Sequence, residues 1–477
     1  MLAAVFLAAA LFATDTAASP PPPSAPTPAA AALDTAIARM GGAPALRAVQ
    51  RVRLDLLTQW QRTTFDERPY ADLPSYELHT DLRDYTIPAW RNARRFYMGG
   101  SWRELVDVVR DSVAIRRAPD AAWATLNVAY VDERRELFAF APERVLLHAR
   151  DAADARTLAD TVIDGAAHAR VAATVDRYPT VLFLRRGDGY LAMARFVAAH
   201  PNDFGLAPWG PMEVELWYSR WAPLAGGITY PMQWDVRRVG RPYRRVTVLA
   251  AALHAAAAPD SFAVSDSLRA AFRATANRPM HDVPLDSARL VDGRFAQFGA
   301  PGAPAGAVKL GRRWLLLEAG TASLNAERAA RWLAGADPGA ELAGALVTVP
   351  FTGSGGVAWL APRRVPLHVT PGTEPIVRTI LRNHGLQTAT SMVSTGRWLR
   401  VDGDSMWVEP IDVPNARGAM LAWVPSLRWL FSGAATSPVE LERVLARARE
   451  RGWAEERIGS ARGVVAPVPG APGTASR

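Results

Sequence analysis

The chain contains no cysteine, which excludes disulfides, thiolate metal sites and a cysteine nucleophile together. Export does not demand disulfides of a chain of 477 residues, because that length can bury a core without covalent staples. Lysine is nearly missing as well. Lys309 is the only one, so the formal charge of +9 is carried by arginine. The arginines are interleaved with acids, as in Glu133-Arg134-Arg135-Glu136 and Glu440 to Arg443, with no run of five like charges. This spreading argues against nucleic acid as a partner, since binders cluster their charge.

Long apolar runs are equally scarce. Leu2 to Ala13 is apolar but shorter than the roughly 20 residues that cross a bilayer, so no transmembrane span is expected. Its length fits the apolar region of a signal peptide, and Thr16-Ala17-Ala18 supplies small residues for cleavage. No Lys or Arg precedes Arg39, so either the true start lies upstream or the signal is atypical. Residues 1–18 are expected to be a signal peptide, and the mature protein periplasmic or secreted. Without cysteine there is no lipoprotein attachment site.

What is present is an ordinary globular composition, 49% hydrophobic and 21% charged, long enough for two or three domains. Residues 19–32 form a Pro/Ala tract, expected to be an extended linker. Leu33, Ile37, Met40 and Leu46 have roughly helical spacing, interrupted at Gly41-Gly42, and a strand is expected from Val49 to Trp60. Short strands then dominate to residue 274. Val52 to Leu56 and Met212 to Tyr218 alternate with period two. Val181 to Arg186, Ile228 to Val236 and Tyr243 to Leu249 are further strands, and helices are expected around Ser101 to Asp107 and Ala152 to Ile163. The region 33–274 is thus an antiparallel, β-rich, half-barrel-like domain. A linker follows at 275–282, then a second domain at 283–463 and a disordered tail at 464–477.

The second domain alternates strands with helices. Trp314 to Ala319 is a nearly continuous apolar run, the mark of a strand covered on both faces. Ala326 to Leu333 is a helix, Ala345 to Val349 a strand, Pro375 to Asn383 a helix, Ala419 to Val424 a strand and Val439 to Arg451 a closing helix. Along this order lie Leu316-Leu317-Glu318-Ala319, Ser354-Gly355-Gly356 and Leu430-Phe431-Ser432-Gly433. In these motifs the domain resembles the metallo-β-lactamase superfamily, which implies an αββα sandwich and an α+β fold for the whole chain. The first domain resembles the β-rich domains fused to exported members of that superfamily, through Gly41 to Val49 before a strand and through Trp221 to Pro231. Those domains are distantly similar to the half-barrel of periplasmic lipoprotein carriers.

The resemblance stops at the chemistry. Aligned on Ser354-Gly355-Gly356, two metal-binding histidines of the superfamily fall on Thr348 and Pro350, its aspartate on Thr352 and the next histidine on Gly353. A later histidine falls on Asn415, the bridging aspartate on Ala434 and the last histidine on Arg462. A catalytic zinc needs about three protein ligands and a bound water. Pro, Gly and Ala offer none, Thr and Asn are poor, and Arg repels a cation. The only histidines nearby are His368, His384 and His281. No metal, no other cofactor and no catalytic residue are therefore expected, and the seven positions should lie together as a relic cleft. Arg462 would place a fixed positive charge there, so an anion held by Arg462 and Ser354, with Thr348 and Thr352 near, is a candidate site. The alternative is that Arg462 pairs with Glu455 or Glu456.

Other motifs read blandly. Thr352 to Gly356 lacks the Gly-Lys-Ser/Thr of a phosphate loop and the first glycine of a nucleophile elbow. Asp402-Gly403-Asp404 reads as a hairpin turn rather than a calcium loop. Trp209, Trp217, Trp221 and Trp234 pack a sheet or line a concavity for an apolar or sugar-like ligand. The leading expectation is an exported, non-catalytic binding or scaffolding protein with an unidentified small-molecule or protein partner. A hydrolase with an atypical or metal-independent site is one alternative. A carrier of an apolar or lipid-like ligand in the first domain is the other.

Overall fold

Thr27-Pro28 opens the first helix for a local reason: the Thr27 hydroxyl accepts the Ala30 N–H at 3.2 Å, and proline suits the first helical position. The computed structural model describes residues 27–61, 75–98, 101–203, 205–276, 284–300, 302–349, 353–386, 392–393, 396–414, 416–461 and 463–468. Helix α1 (Pro28–Arg39) thus begins inside the tract expected to be an extended linker, a correction. The rest of that tract, the expected signal peptide and most of the linker at 275–282 lie outside the described residues. The Gly41-Gly42 pair, at φ +113° and +91°, separates α1 from α2 (Ala43–Ala48).

Thirteen strands follow in one antiparallel sheet. Six run outward as a meander: β1 (Arg51–Trp60), β2 (Ser75–Asp84), β3 (Ala89–Met98), β4 (Ser101–Arg110), β5 (Val113–Arg117) and β6 (Ala124–Thr125). Helices α3 (Ala129–Ala139) and α4 (Pro142–Asp151) then cross over. Seven strands return: β7 (Arg156–Ile163), β8 (Ala166–Val175), β9 (Tyr178–Arg185), β10 (Leu191–Ala198), β11 (Met212–Pro223), β12 (Thr229–Arg238) and β13 (Arg241–Leu253). β13 closes against β1, with Val52 opposite Leu253. Leu54 and Leu56 of β1, Val171 and Val175 of β8 and Val246 and Val248 of β13 point to the face covered by Leu33, Ile37, Val145 and Leu146 of the helices.

Two expected helices are strands. Ser101 to Asp107 lies in β4, where Asn92 pairs with Asp107 and Trp90 with Val109, and Arg156 to Ile163 is β7. Both contain good helix formers, but pairing on neighbouring strands overrides local propensity. The helices stand instead at α3 and α4, whose many charges masked their apolar faces.

After α5 (Asp266–Ala271), the remaining chain builds two smaller sheets. The first holds β14 (Arg289–Val291), β15 (Phe295–Gln297), β16 (Gly306–Leu310), β17 (Arg313–Leu317), β18 (Leu342–Leu346), β19 (Leu367–His368) and β20 (Met392–Val393), mixing antiparallel and parallel pairs. The second holds β21 (Arg397–Val401), β22 (Asp404–Val413), β23 (Ala416–Val424), β24 (Trp429–Phe431), β25 (Arg457–Ser460) and β26 (Gly463–Pro467). Gly463 to Pro467 is therefore strand, not the start of a disordered tail. Asp402-Gly403 turns the β21–β22 hairpin, with Val401 opposite Asp404.

Alternation along β17 sets the layers. Leu315 and Leu317 pack with Phe295, Met406, Val408, Trp429 and Phe431 between the two sheets. Trp314 and Leu316 face the other way, onto α6 (Ser323–Ala336) and α8 (Glu374–Asn383). The short α7 (Val357–Leu360) lies between them in sequence. Leu421 and Trp423 of β23 face α9 (Pro438–Glu450) through Val444 and Ala448. α9 starts with a reciprocal cap in which Ser437 N–H donates to Glu440 at 2.9 Å and Glu440 N–H to the Ser437 hydroxyl at 3.4 Å. One apolar cluster runs from α1 through Trp209 to Leu381, so the large sheet and the region of the two smaller sheets share a core. No helix among the described residues is long and apolar enough to cross a membrane.

Candidate functional site: a buried carboxyl and a charged cavity

The residues aligned with the superfamily's metal ligands are partly in view. Pro350, Thr352, Asn415 and Arg462 lie outside the described residues; Thr348, Gly353, Ser354 and Ala434 do not. Thr348 and Gly353 converge on Glu318, which ends β17 at φ +66° and is 3% exposed. Its carboxyl accepts the Thr348 N–H at 3.1 Å and bonds the Thr348 hydroxyl, which in turn accepts the Gly433 N–H at 2.8 Å. A Cβ on Gly353 would stand 1.9 Å from Glu318 Oε2, and one on Gly433 2.5 Å from Oε1. The carboxyl fills the space, and glycine is what fits around it. Burial pushes Glu318 up to about 8, so it holds a proton at neutral pH and acts as a staple between three loops.

Ala434 follows Gly433 and packs with the apolar layer under α9. Ser354 is fully buried and directs its hydroxyl at the Val349 carbonyl, 3.5 Å away. His368 is buried with an unbonded Nδ1 among the described residues, and desolvation, helped by Arg397, lowers it to about 4. His384 packs on Gly210 of the first domain, where a Cβ would come within 2.1 Å of its Nε2. The described residues contain no group of three or more His, Asp or Glu that could hold a metal.

The first domain holds a different kind of space. A cavity of about 390 Å³ lies between the sheet and α3, within the range of small-molecule sites. β2 explains its character. Glu77, His79, Asp81 and Arg83 alternate on the inner face, opposite Phe96, Arg94, Asn92 and Trp90 of β3, Arg83 lining the cavity and the other three a small pocket beside it, while Tyr76 and Leu78 face solvent. The usual polarity of a half-buried strand is inverted. On α3, Tyr130, Glu133 and Leu137 share the face that meets the cavity.

Asp81 organises the inner wall. It accepts from Arg83 at 3.1 Å, Trp90 Nε1 at 3.2 Å and Asn92 at 2.6 Å. Burial opposes its charge, but His79 and Arg83 hold it below the usual carboxylate range. Across the cavity, Arg238 donates to Glu136 at 2.9 Å and lies 2.7 Å from His200 Nε2. Burial again opposes the charge, and Arg238 and His200 hold Glu136 down. Arg94 sits 3.2 Å from Asp107, which Arg116 already grips with two bonds. Arg244 stands only loosely beside Glu133, at 3.8 Å. Glu133 lines the cavity and keeps 44% of its side-chain exposure. Burial raises its pKa.

Several donors are left over. Arg83 Nε and Nη1, Arg94 Nε, Arg238 Nε, Arg244 Nε and Trp234 Nε1 are buried without a hydrogen bond among the described residues. The apolar part of the wall includes Phe140 stacked on Phe196, with centroids 3.8 Å apart, and Trp60 edge-on to Tyr243 at 5.5 Å. Of the four tryptophans singled out in the sequence, only Trp234 lines this space. Trp209 is buried where its carbonyl accepts from Asn383 of the second domain at 2.9 Å, Trp221 stacks on Tyr190, and Trp217 bonds Glu215. Composition does not single out these arginines, which are spread along the whole chain. Their signal was the period-two run of ionisable residues at 77, 79, 81 and 83.

No protein-family model matches the chain, and no curated protein matches it. Among solved structures, a putative outer membrane lipoprotein-sorting protein domain from Vibrio parahaemolyticus is similar at 8% identity and a TM-score of 0.33, over 49% of this chain and 97% of that one. The sec-alkylsulfatase Pisa1 from Pseudomonas sp. is similar at 11% identity and a TM-score of 0.30, over 38% of each chain. A metallo-beta-lactamase from Pontibacter korlensis is similar at 12% identity and a TM-score of 0.27, over 38% of this chain and 85% of that one. Likenesses this distant carry no argument, and the function is read from the chain's own geometry.

Proposed function

We propose that the chain is an exported, non-catalytic binding protein whose small-molecule ligand occupies the cavity of the β-rich domain. In this reading the second domain is a metallo-β-lactamase-like αββα sandwich without a metal site, and serves as a scaffold for the first. The observation that carries it is the set of unbonded donors around a preformed cavity of about 390 Å³. A buried donor left unsatisfied costs about 1–3 kcal/mol, so an occupant that meets several of them stabilises the fold. The test is saturable binding of the fluorescent probe 8-anilinonaphthalene-1-sulfonate to the full chain. One site per chain is expected, abolished by filling the cavity with Val214→Trp. Binding that survives in the filled variant sinks the cavity reading, and stoichiometric zinc in the purified protein sinks the scaffold reading.

A further inference from the structure

The cavity wall has two unlike parts. Phe140, Phe196 and Leu206 form one, beside Glu136, His200 and Arg238, whose charges pair with one another. At the other, Arg94, Glu133 and Arg244 also border a side pocket of about 60 Å³, room for a few water-sized atoms. Here the shortage is of acceptors. Asp107 is shared by Arg94 and Arg116, and Asp81 is taken up by Arg83, Trp90 and Asn92. The unbonded atoms of the wall are mainly N–H groups: two on Arg83, which is 0% exposed, and one each on Arg94 and Arg244.

Resting on the proposed binding function, we infer that the ligand is an anionic amphiphile whose carboxylate or phosphate oxygens sit on Arg94 and Arg244, the two arginines that border both the cavity and its side pocket. A hydroxyl or amide head would bring donors of its own to a wall already rich in them. Carboxylate and phosphate bring acceptors only, in the planar geometry that a guanidinium fork matches. Glu133 stands 3.8 Å from Arg244, and burial raises its pKa. The apolar tail then lies along Phe140 and Phe196, away from the charged rungs of β2 and β3.

The experiment is calorimetric titration of the full chain with decanoate, decyl phosphate, decanol and inorganic phosphate at fixed salt. Decanoate or decyl phosphate is expected to bind roughly tenfold or more tightly than decanol, as charged hydrogen bonds predict. In Arg244→Gln and Arg94→Gln that preference should shrink to within about threefold, with decanol affinity unchanged and the near-ultraviolet circular dichroism of the folded protein retained. Should a variant lose that signal, Arg244→Lys, which keeps the charge, is read in its place and should retain part of the preference. Equal binding of decanoate and decanol by wild type overturns the anionic head while leaving the cavity reading intact. Inorganic phosphate binding as tightly as decyl phosphate overturns the amphiphile, leaving a free-anion site. Binding of none of the four overturns both readings.

Discussion

Glu318 and His368 are buried titratable groups of the second domain with opposite tendencies. Glu318 is raised from 4.5 to about 8, so between those values the native state binds more protons than the unfolded one and stability falls as pH rises. His368 is lowered from 6.5 to about 4, so between those values the native state binds fewer, and stability rises with pH. The two slopes oppose each other from pH 4.5 to 6.5. Above 6.5 Glu318 acts alone. The unfolding free energy of the wild type, read from urea titrations, should therefore fall from pH 6.5 to 8 by up to about 1.4 kcal/mol per pH unit, and Glu318→Gln should lose that slope. A Glu318→Gln protein that keeps the slope refutes the assignment. The sequence showed Leu-Leu-Glu-Ala as a motif but not this role, because the burial and the left-handed backbone come from loops distant in the chain.

At the scale of the element, the inverted alternation of β2 decides the first domain's character. Its charged face is stable because its charges are paired: Glu77 with Arg94 of β3, Asp81 with Arg83 beside it, and Arg83 also with Glu143 of α4. Asp81→Asn leaves Arg83 without its closest counter-charge and should cost about 3 kcal/mol, the usual penalty for breaking a buried pair, read from urea denaturation. Asp160→Asn, in an exposed pair with Arg186, should move the midpoint little. Equal effects would mean that the inner wall is solvated and the cavity open. Strands with apolar alternation, such as Val52 to Leu56 and Met212 to Tyr218, were legible because burial and hydrophobicity coincide there. β4, β7 and α3 were not, because cross-strand pairing and charge pairing, rather than local composition, settle them.

At the scale of the whole molecule, the order of elements in the second domain could be read from its apolar runs, since each is short and buried on both faces. The joint between domains could not. It is made by Asn383 on the Trp209 carbonyl, His384 on Gly210 and Gly355 against Pro208, residues far apart in the chain. The continuous apolar cluster predicts a single calorimetric transition for the wild type. Gly210→Ala, at φ +64° with its new Cβ 2.1 Å from His384 Nε2, should loosen the joint by about 2 kcal/mol and split that transition in two. One unshifted transition in the variant would show that the domains are coupled elsewhere.

The pairing of β1 with β13 also sets a timetable. Each arm of the sheet zips between sequence neighbours, but the seam joins the first strand made to the last. At roughly 5–20 residues per second, β1 waits about 10–40 s after its own synthesis for its partner to leave the ribosome. Throughout that interval its free edge is a template for stray strands, guarded by Arg51, Arg53 and Asp55. Mutations that slow translation before Leu253 should therefore appear first as inclusion bodies in the growing cell, while the protein that escapes is as stable as ever.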